Sequence, residues 1–325
     1  LSAGINEEKK QLELLLALAR QAQFQFTDAK AEQLAEILQM LAVSEPDAKI
    51  IIFTDLDGTL LDYSTYSFEA AMPALKRLQE CGIPLVIVSS KTRAEIEPLL
   101  AELPPLSKLF ITENGSAVYL DRQSPVPPGI QAELRAGYRA IILGRRYDEV
   151  LSALREAQSQ CKANVKGFSD MSVREVARLT GLDTASAGLA KNREFSEPFM
   201  FRGTESKLEC LKSKLDESGM NCLEGGRLFH ALGRTDKGAA VRLVIDLYRR
   251  TSGGAVWKTI ALGDGPNDID MLRCADVAAV MRRQDGTWME YHPSPSQRVI
   301  MPAGIGPAGW NEAVLTLLKE KGCPM

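Results

Sequence analysis

At 325 residues the chain is longer than one hydrophobic core usually organises, so a large domain with a smaller companion is expected. Its 45% apolar and 25% charged residues suit a soluble globular protein, and a net charge of -3 excludes the basic excess of a nucleic-acid binder. No apolar run approaches the ~18 residues needed to span a bilayer, so neither nucleic acid nor membrane is expected as a partner. Cys81, Cys161, Cys210, Cys222, Cys274 and Cys323 form no CxxC pair and follow no regular spacing. They read as reduced thiols of a cytoplasmic protein, with no disulfide framework and no zinc site.

The opening segment LSAGINEEKKQLELLLALARQ mixes charges before a short leucine cluster and has no small-residue cleavage site, so it reads as an amphipathic helix and not a signal peptide. Leu12, Leu15, Leu16 and Ala19 recur at helical spacing, as do Leu34, Ile37, Leu38 and Leu41, with Thr27 and Asp28 as caps and Pro46 as a stop. Residues 1–48 are therefore expected to be a helical pair that packs on the main domain or on another subunit, which would make a homo-oligomer.

From Lys49 the pattern changes. The apolar run IIIF (50–53) leads into DLDGTLLD; a helix fits 68–81; the strand PLVIV ends at Ser89; KTRAEIEPLLAEL is a helix; a third strand covers 109–112. Buried strands alternating with amphipathic helices predict an α/β, doubly wound, mainly parallel sheet. A hairpin is expected around Asn114-Gly115, and SPVPPG (124–129) reads as a linker. Helices and strands of a different order then fill residues 126–230, an inserted α+β domain ending in a Gly-Gly turn between two strand-like runs. The core, 49–125 and 231–325, resumes with KGAAVRLVIDLYRR, the strand WKTIAL, the loop GDGPND, a helix and the strand VAAVM, while residues 288–310 are too loop-rich to assign.

Two acidic loops each close an apolar strand, the end of an open α/β sheet where ligands bind. In the first, Asp55 suits nucleophilic attack and Asp57 suits acid/base work, with Gly58 making the turn and Thr59 orienting it. In the second, Asp264 and Asp268 add carboxylates. Asp55 and Asp264 brought within ~4 Å would repel by roughly 4 kcal/mol at an effective dielectric of ~20, a penalty that a divalent cation removes. Hard oxygen ligands beside a phosphate favour Mg²⁺. Ser89 and Ser90, followed by Lys91 and Thr92 at a helix start, offer a seat for phosphate oxygens. Lys237, in the first turn of a helix, runs against the helix dipole and so calls for another reason, such as neutralising Asp55 and phosphate.

Strand–DLDGT, strand–SS, K-G and strand–GDGPND, in that order, resemble the haloacid dehalogenase (HAD) superfamily. The resemblance assigns Asp55 as nucleophile, Asp57 as acid/base, Ser89 and Lys237 as phosphate-handling residues, and Asp55, Asp264 and the Asp57 backbone carbonyl as the Mg²⁺ site, with Asp268 acting through water. About 30 residues separate DLDGT from Ser89 and about 145 separate Ser90 from Lys237, so the inserted domain stands where a Cof-like type-2 cap stands; mutases of the superfamily typically carry theirs in the other position. SSKTRAEI, ENGSAVYL, GFSDMSVREVARLTGL, AKNREFSEPF and GGRLFH together resemble the mannosyl-3-phosphoglycerate phosphatase family. That resemblance implies a small sugar-phosphate substrate, hydrolysis of mannosyl-3-phosphoglycerate (or its glucosyl counterpart) to the glycosylglycerate and phosphate, and contacts from Ser90, Asn114, Lys191, Arg193, Glu194 and Asn267. Lys191 and Arg193 would suit a substrate with two anions, phosphate and carboxylate. Glu113-Asn114-Gly115 reads equally as a turn or a contact, and Arg227 and His230 equally as cleft or structural residues. A non-catalytic sugar-phosphate sensor is the rival reading, disfavoured because a binder has no need of a nucleophile.

Overall fold

The computed structural model describes residues 48–107, 109–225 and 228–320. The expected N-terminal helical pair, its self-association surface and Arg227 lie outside these residues. Strand β1 (Lys49–Thr54) is followed by α1 (Met72–Glu80), β2 (Leu85–Val88), α2 (Arg93–Glu102), β3 (Leu109–Thr112), β4 (Ala117–Leu120), β5 (Glu133–Arg135) and β6 (Tyr138–Ile142). The inserted part holds α3 (Tyr147–Cys161), β7 (Asn164–Gly167), α4 (Val173–Thr180), α5 (Thr184–Ala190), β8 (Ser196–Arg202), α6 (Glu205–Glu217), β9 (Met220–Glu224) and β10 (Phe229–Gly233). The chain returns through α7 (Lys237–Thr251), β11 (Trp257–Gly263), α8 (Ile269–Arg273), β12 (Val277–Val280), β13 (Arg298–Ile300) and α9 (Gly306–Glu320).

Nine strands form one sheet in the order β13-β12-β11-β1-β2-β3-β4-β6-β5. Pairing from β13 to β3 is parallel, and β4, β6 and β5 extend that edge antiparallel. The central strands are apolar throughout because both faces are covered. Ile50 and Ile52 of β1 turn to one core cluster with Ile87, Ile260 and Leu262, while Ile51 and Phe53 turn to the other with Val86, Val88 and Ala261. This is the two-residue period of a strand under helices on both sides. Ala74 and Leu75 of α1 and Trp310 and Val314 of α9 cover the first face; Val241 and Val244 of α7 and Met271 of α8 cover the second.

The inserted domain has its own antiparallel sheet, β7-β8-β10-β9, on which α3 and α6 pack through Val150, Leu154, Leu211 and Leu215. Three sequence expectations are corrected. Residues 126–142 are expected in the inserted domain, but β5 and β6 pair into the core sheet; β5 is a wet edge with Leu134 64% exposed, and the apolar run 140–143 that β6 carries follows a Pro-rich stretch. Residues 231–233 complete β10 and so belong to the inserted sheet. Cys161 and Cys210 form a disulfide with a Cα–Cα distance of 5.8 Å, so the expectation of reduced thiols fails for this pair; 49 residues of separation hide two helices lying side by side. Residues 288–310 supply edge strand β13 and the start of α9, and Trp310 donates its indole N–H to Thr54 Oγ1 at 3.0 Å, directly before Asp55. Among the described residues no helix is long and apolar enough to cross a membrane.

Candidate active site

Strands β1 and β11 are parallel neighbours in register from Lys49 opposite Trp257 to Thr54 opposite Leu262, so their following loops emerge side by side. This adjacency brings together two acidic loops some 200 residues apart in the sequence. The Asp55 N–H donates to Leu262 O at 2.9 Å, and Asp55, Asp264 and Asp268 each offer a carboxylate oxygen within 4.8 Å of the others. Gly58 has φ +79, and a Cβ there would stand 2.7 Å from Asp264 Oδ2, so the turn requires glycine for conformation and for space. Thr59 Oγ1 donates to Asp264 Oδ1 at 3.1 Å.

Lys237 opens α7 and is fully buried. Its Nζ donates to Asp55 Oδ1 and to Asp268 Oδ1, both at 2.6 Å. The other Asp268 oxygen accepts the N–H groups of Asp264 (3.0 Å) and Gly265 (2.9 Å), which locks the second loop. Burial disfavours the Lys237 ammonium, yet Asp268 and Asp55 outweigh it and hold the pKa above the ordinary lysine value. Burial raises the Asp55 pKa well above that of an ordinary aspartate; Lys237 opposes the rise, and Asp268, Asp264 and Asp57 add to it. Asp264 is pushed up to about 7, by burial first and then by Asp268. Three crowded carboxylates share one lysine, and a hard divalent cation fits the remaining negative charge.

Ser89, at the end of β2, is buried and its Oγ accepts the Lys91 N–H at 3.1 Å. Ser90 lines the same cleft as Asp55, Asp57, Asp264 and Asn267. Lys91 lies there too, its Nζ 2.9 Å from Asp57 Oδ1, 3.8 Å from Glu95 Oε1 and 4.9 Å from the centre of the Tyr66 ring. Burial opposes its charge, but Asp57 and Glu95 keep its pKa above the ordinary lysine value. Sequence reasoning treated Lys91 only as the start of a helix; its place directly after Ser89-Ser90 was the available signal.

The inserted domain forms the cleft's far wall with Phe168, Leu179, Leu182, Leu228 and His230. Arg193 reaches the cleft but its guanidinium is engaged: Nη2 donates to Ser90 O (3.0 Å) and Ser196 Oγ (2.6 Å), and Nε donates to Ser196 O and pairs with Glu113 Oε2, both at 3.3 Å. Lys191 is not among the cleft-lining residues; its Nζ donates to the carbonyls of Phe168 (2.6 Å) and Met171. Glu194 pairs with Arg93 (3.1 Å) and Arg135 (2.8 Å) beside a separate groove. Asn114 is buried, and its Oδ1 accepts the Asn267 Nδ2 at 3.0 Å, which joins the third strand's loop to the second acidic loop. His230 is buried against the cleft, where burial and then Arg193 and Lys237 lower its pKa to about 3.

Glu113 is another residue whose role the sequence leaves open. It and Asn114 take left-handed backbone (φ 48 and 57), which aims the Glu113 carboxylate inward. There it accepts the N–H groups of Glu194 (2.8 Å) and Phe195 (3.1 Å) and the Ser196 hydroxyl (2.8 Å). The core thus grips the backbone of the very segment expected to contact substrate. Tyr66 OH to Thr180 O (3.0 Å) and Thr92 Oγ1 to Leu189 O (3.1 Å) add two more core-to-insert bonds along the rim.

Residues 52–127 match the haloacid dehalogenase-like hydrolase family. Over 276 residues the chain is 39% identical to a glucosyl-3-phosphoglycerate/mannosyl-3-phosphoglycerate phosphatase of Methanococcoides burtonii, covering 83% of this chain and 97% of that protein. A protein of the same description from Persephonella marina is 38% identical over 282 residues, covering 84% and 100%. Among solved structures, a HAD-superfamily phosphatase from Bacteroides thetaiotaomicron superposes with a TM-score of 0.56 at 18% identity, over 87% of this chain and 98% of that one. A HAD subclass IIB sugar phosphatase gives 0.55 at 17%, over 85% and 100%. At these identities the structures establish the fold. The chain belongs to the haloacid dehalogenase-like hydrolases, with their doubly wound core and an inserted cap. It is a phosphoric monoester hydrolase.

Proposed function

We propose that the enzyme hydrolyses the phosphate ester of a sugar-linked 3-phosphoglycerate, with mannosyl-3-phosphoglycerate and its glucosyl counterpart as substrates. The substrate class is supported by the names of two relatives that match nearly end to end. The observation that carries the chemistry is Asp55 held by Lys237 at 2.6 Å with Asp264 and Asp268 alongside.

Asp55 attacks phosphorus through a carboxylate oxygen, and the bond from phosphorus to the glycerate oxygen breaks. Asp57 gives its proton to that departing oxygen. A water then adds to the aspartyl-phosphate, Asp57 takes its proton, and Asp55 is regenerated as inorganic phosphate leaves. Lys237 neutralises charge at Asp55, and Ser89 and Ser90 seat the phosphoryl oxygens. The carboxylates of Asp55 and Asp264, with the Asp57 carbonyl, would hold Mg²⁺, which supplies positive charge to the transferring phosphoryl group, and Asp268, whose oxygens already accept from Lys237 and two N–H groups, would act through water.

The test is phosphate release from both glycosyl-3-phosphoglycerates, with Mg²⁺ and with chelator, for wild type and Asp57→Asn. Turnover should require the cation and fall by on the order of 10²–10⁴-fold in the variant. Near-normal turnover by Asp57→Asn would sink the mechanism, and release from neither ester would sink the substrate.

A further inference from the structure

A substrate with a phosphate and a carboxylate needs a cation for each, and the sequence offers Lys191 and Arg193. Lys191 holds two backbone carbonyls of the cap and does not line the cleft, and Arg193, though it reaches the cleft, is engaged by Ser90, Ser196 and Glu113 and stands 3.9 Å from Glu95. We infer that Lys91 binds the carboxylate of the glycerate and thereby sets a preference for phosphate esters that carry one. The inference rests on the substrate class proposed above.

Distance is the main argument. Asp57 must come within ~2.7 Å of the ester oxygen to protonate it. In a 3-phosphoglycerate that oxygen sits on a carbon two C–C bonds, ~1.5 Å each, from the carboxyl carbon. Lys91 Nζ stands 2.9 Å from the Asp57 carboxylate, so the glycerate carboxylate of a substrate that presents its ester oxygen to Asp57 has Lys91 within its reach. Charge is the second argument. The cleft holds Asp55, Asp57, Glu95 and Asp264, and an incoming anion meets repulsion unless a cation answers it. A lysine suits the task because its ammonium is a point charge with three donors on a flexible stem, able to keep Asp57 while taking a further oxygen. Burial is the third. The Lys91 side chain is 11% exposed and lies against the Tyr66 ring, so the ion pair it makes is poorly screened.

The experiment compares kcat/KM for glucosyl-3-phosphoglycerate and for its carboxyl methyl ester in wild type, Lys91→Met and Lys91→Arg. Wild type should prefer the free acid by on the order of 10–10²-fold, the worth of one charge-assisted hydrogen bond. In Lys91→Met that ratio should fall to near unity, chiefly through KM for the free acid, and in Lys91→Arg most of it should survive. Because each ratio is taken within one protein, partial loss of folded enzyme cancels. Lys91→Gln serves in place of Lys91→Met if the latter does not fold. A variant that loses both substrates equally, with the ratio kept, would overturn the assignment and leave Lys91 as a positioning residue for Asp57. Equal use of acid and methyl ester by wild type would overturn it without any variant. Both results leave the phosphatase reading intact, whereas wild type that cleaves other sugar phosphates but neither of these esters removes substrate class and inference together.

Discussion

Replacing Lys237 by methionine keeps the buried aliphatic stem and deletes only the charge. The ammonium has no access to water and touches Asp55 and Asp268 at 2.6 Å each, so its removal leaves three carboxylates with no cation among them. Two such charges within 4.8 Å of each other repel by at least roughly 3.5 kcal/mol at an effective dielectric of ~20, in the range of the ~3–5 kcal/mol that breaking a buried ion pair costs. The loss must also depend on pH. Asp55 and Asp264 both hold protons more tightly than ordinary aspartates, Asp264 up to about 7, so mild acid removes the repulsion by protonating them. Urea unfolding in chelator, at pH 8 and at pH 5.5, measures both quantities. Lys237→Met should lose about 3–5 kcal/mol at pH 8 and clearly less at pH 5.5. A loss of equal size at both pH values would show that the lysine contributes by packing, and the electrostatic reasoning would fail.

Two further outcomes follow from the same contacts. Folded Asp264 titrates near 7 against 3.8 for an ordinary aspartate, so without metal its contribution to stability is full below 3.8 and is lost as pH rises through about 7. Mg²⁺ needs the ionised carboxylate, so the rise in Tm on adding Mg²⁺ should be larger at pH 8 than at pH 6; an equal rise would place the ion elsewhere. Glu113→Gln replaces a buried carboxylate that accepts three hydrogen bonds and faces Arg193, and should cost about 2–4 kcal/mol while loosening residues 193–196. Amide exchange reads the second effect, and unchanged protection at Glu194 and Phe195 would refute the clamp.

The core site was legible because it depends on the backbone. Asp55, Ser89 and Asp264 each stand at or just past the end of an apolar strand, and in a parallel sheet all such ends face the same edge. Finding the strands therefore finds the loops of the candidate site, even though the β1–β11 adjacency that brings its two acidic loops together is not written in either segment. Strands β5 and β6 escaped for the complementary reason: β5 is a wet edge that needs no apolar run, and the Pro-rich residues before the pair suggest a linker that leads away from the core.

The cap contacts depend on which partner a flexible side chain takes, and spacing does not encode that choice. Lys191 and Arg193 stand in one polar run at the end of α5, yet Lys191 turns back onto the carbonyls of its own domain while Arg193 crosses to the core at Ser90. What separates them is Glu113, which sits 80 residues earlier in a turn and draws the Arg193–Ser196 backbone and guanidinium onto the core through its left-handed conformation. With that segment serving as the fastening between the two domains, the proposed recognition of a second substrate anion falls to a residue on the core side of the cleft. The strand end that places Ser89 also places Lys91, so the proposed phosphate seat and the proposed carboxylate anchor are products of one turn.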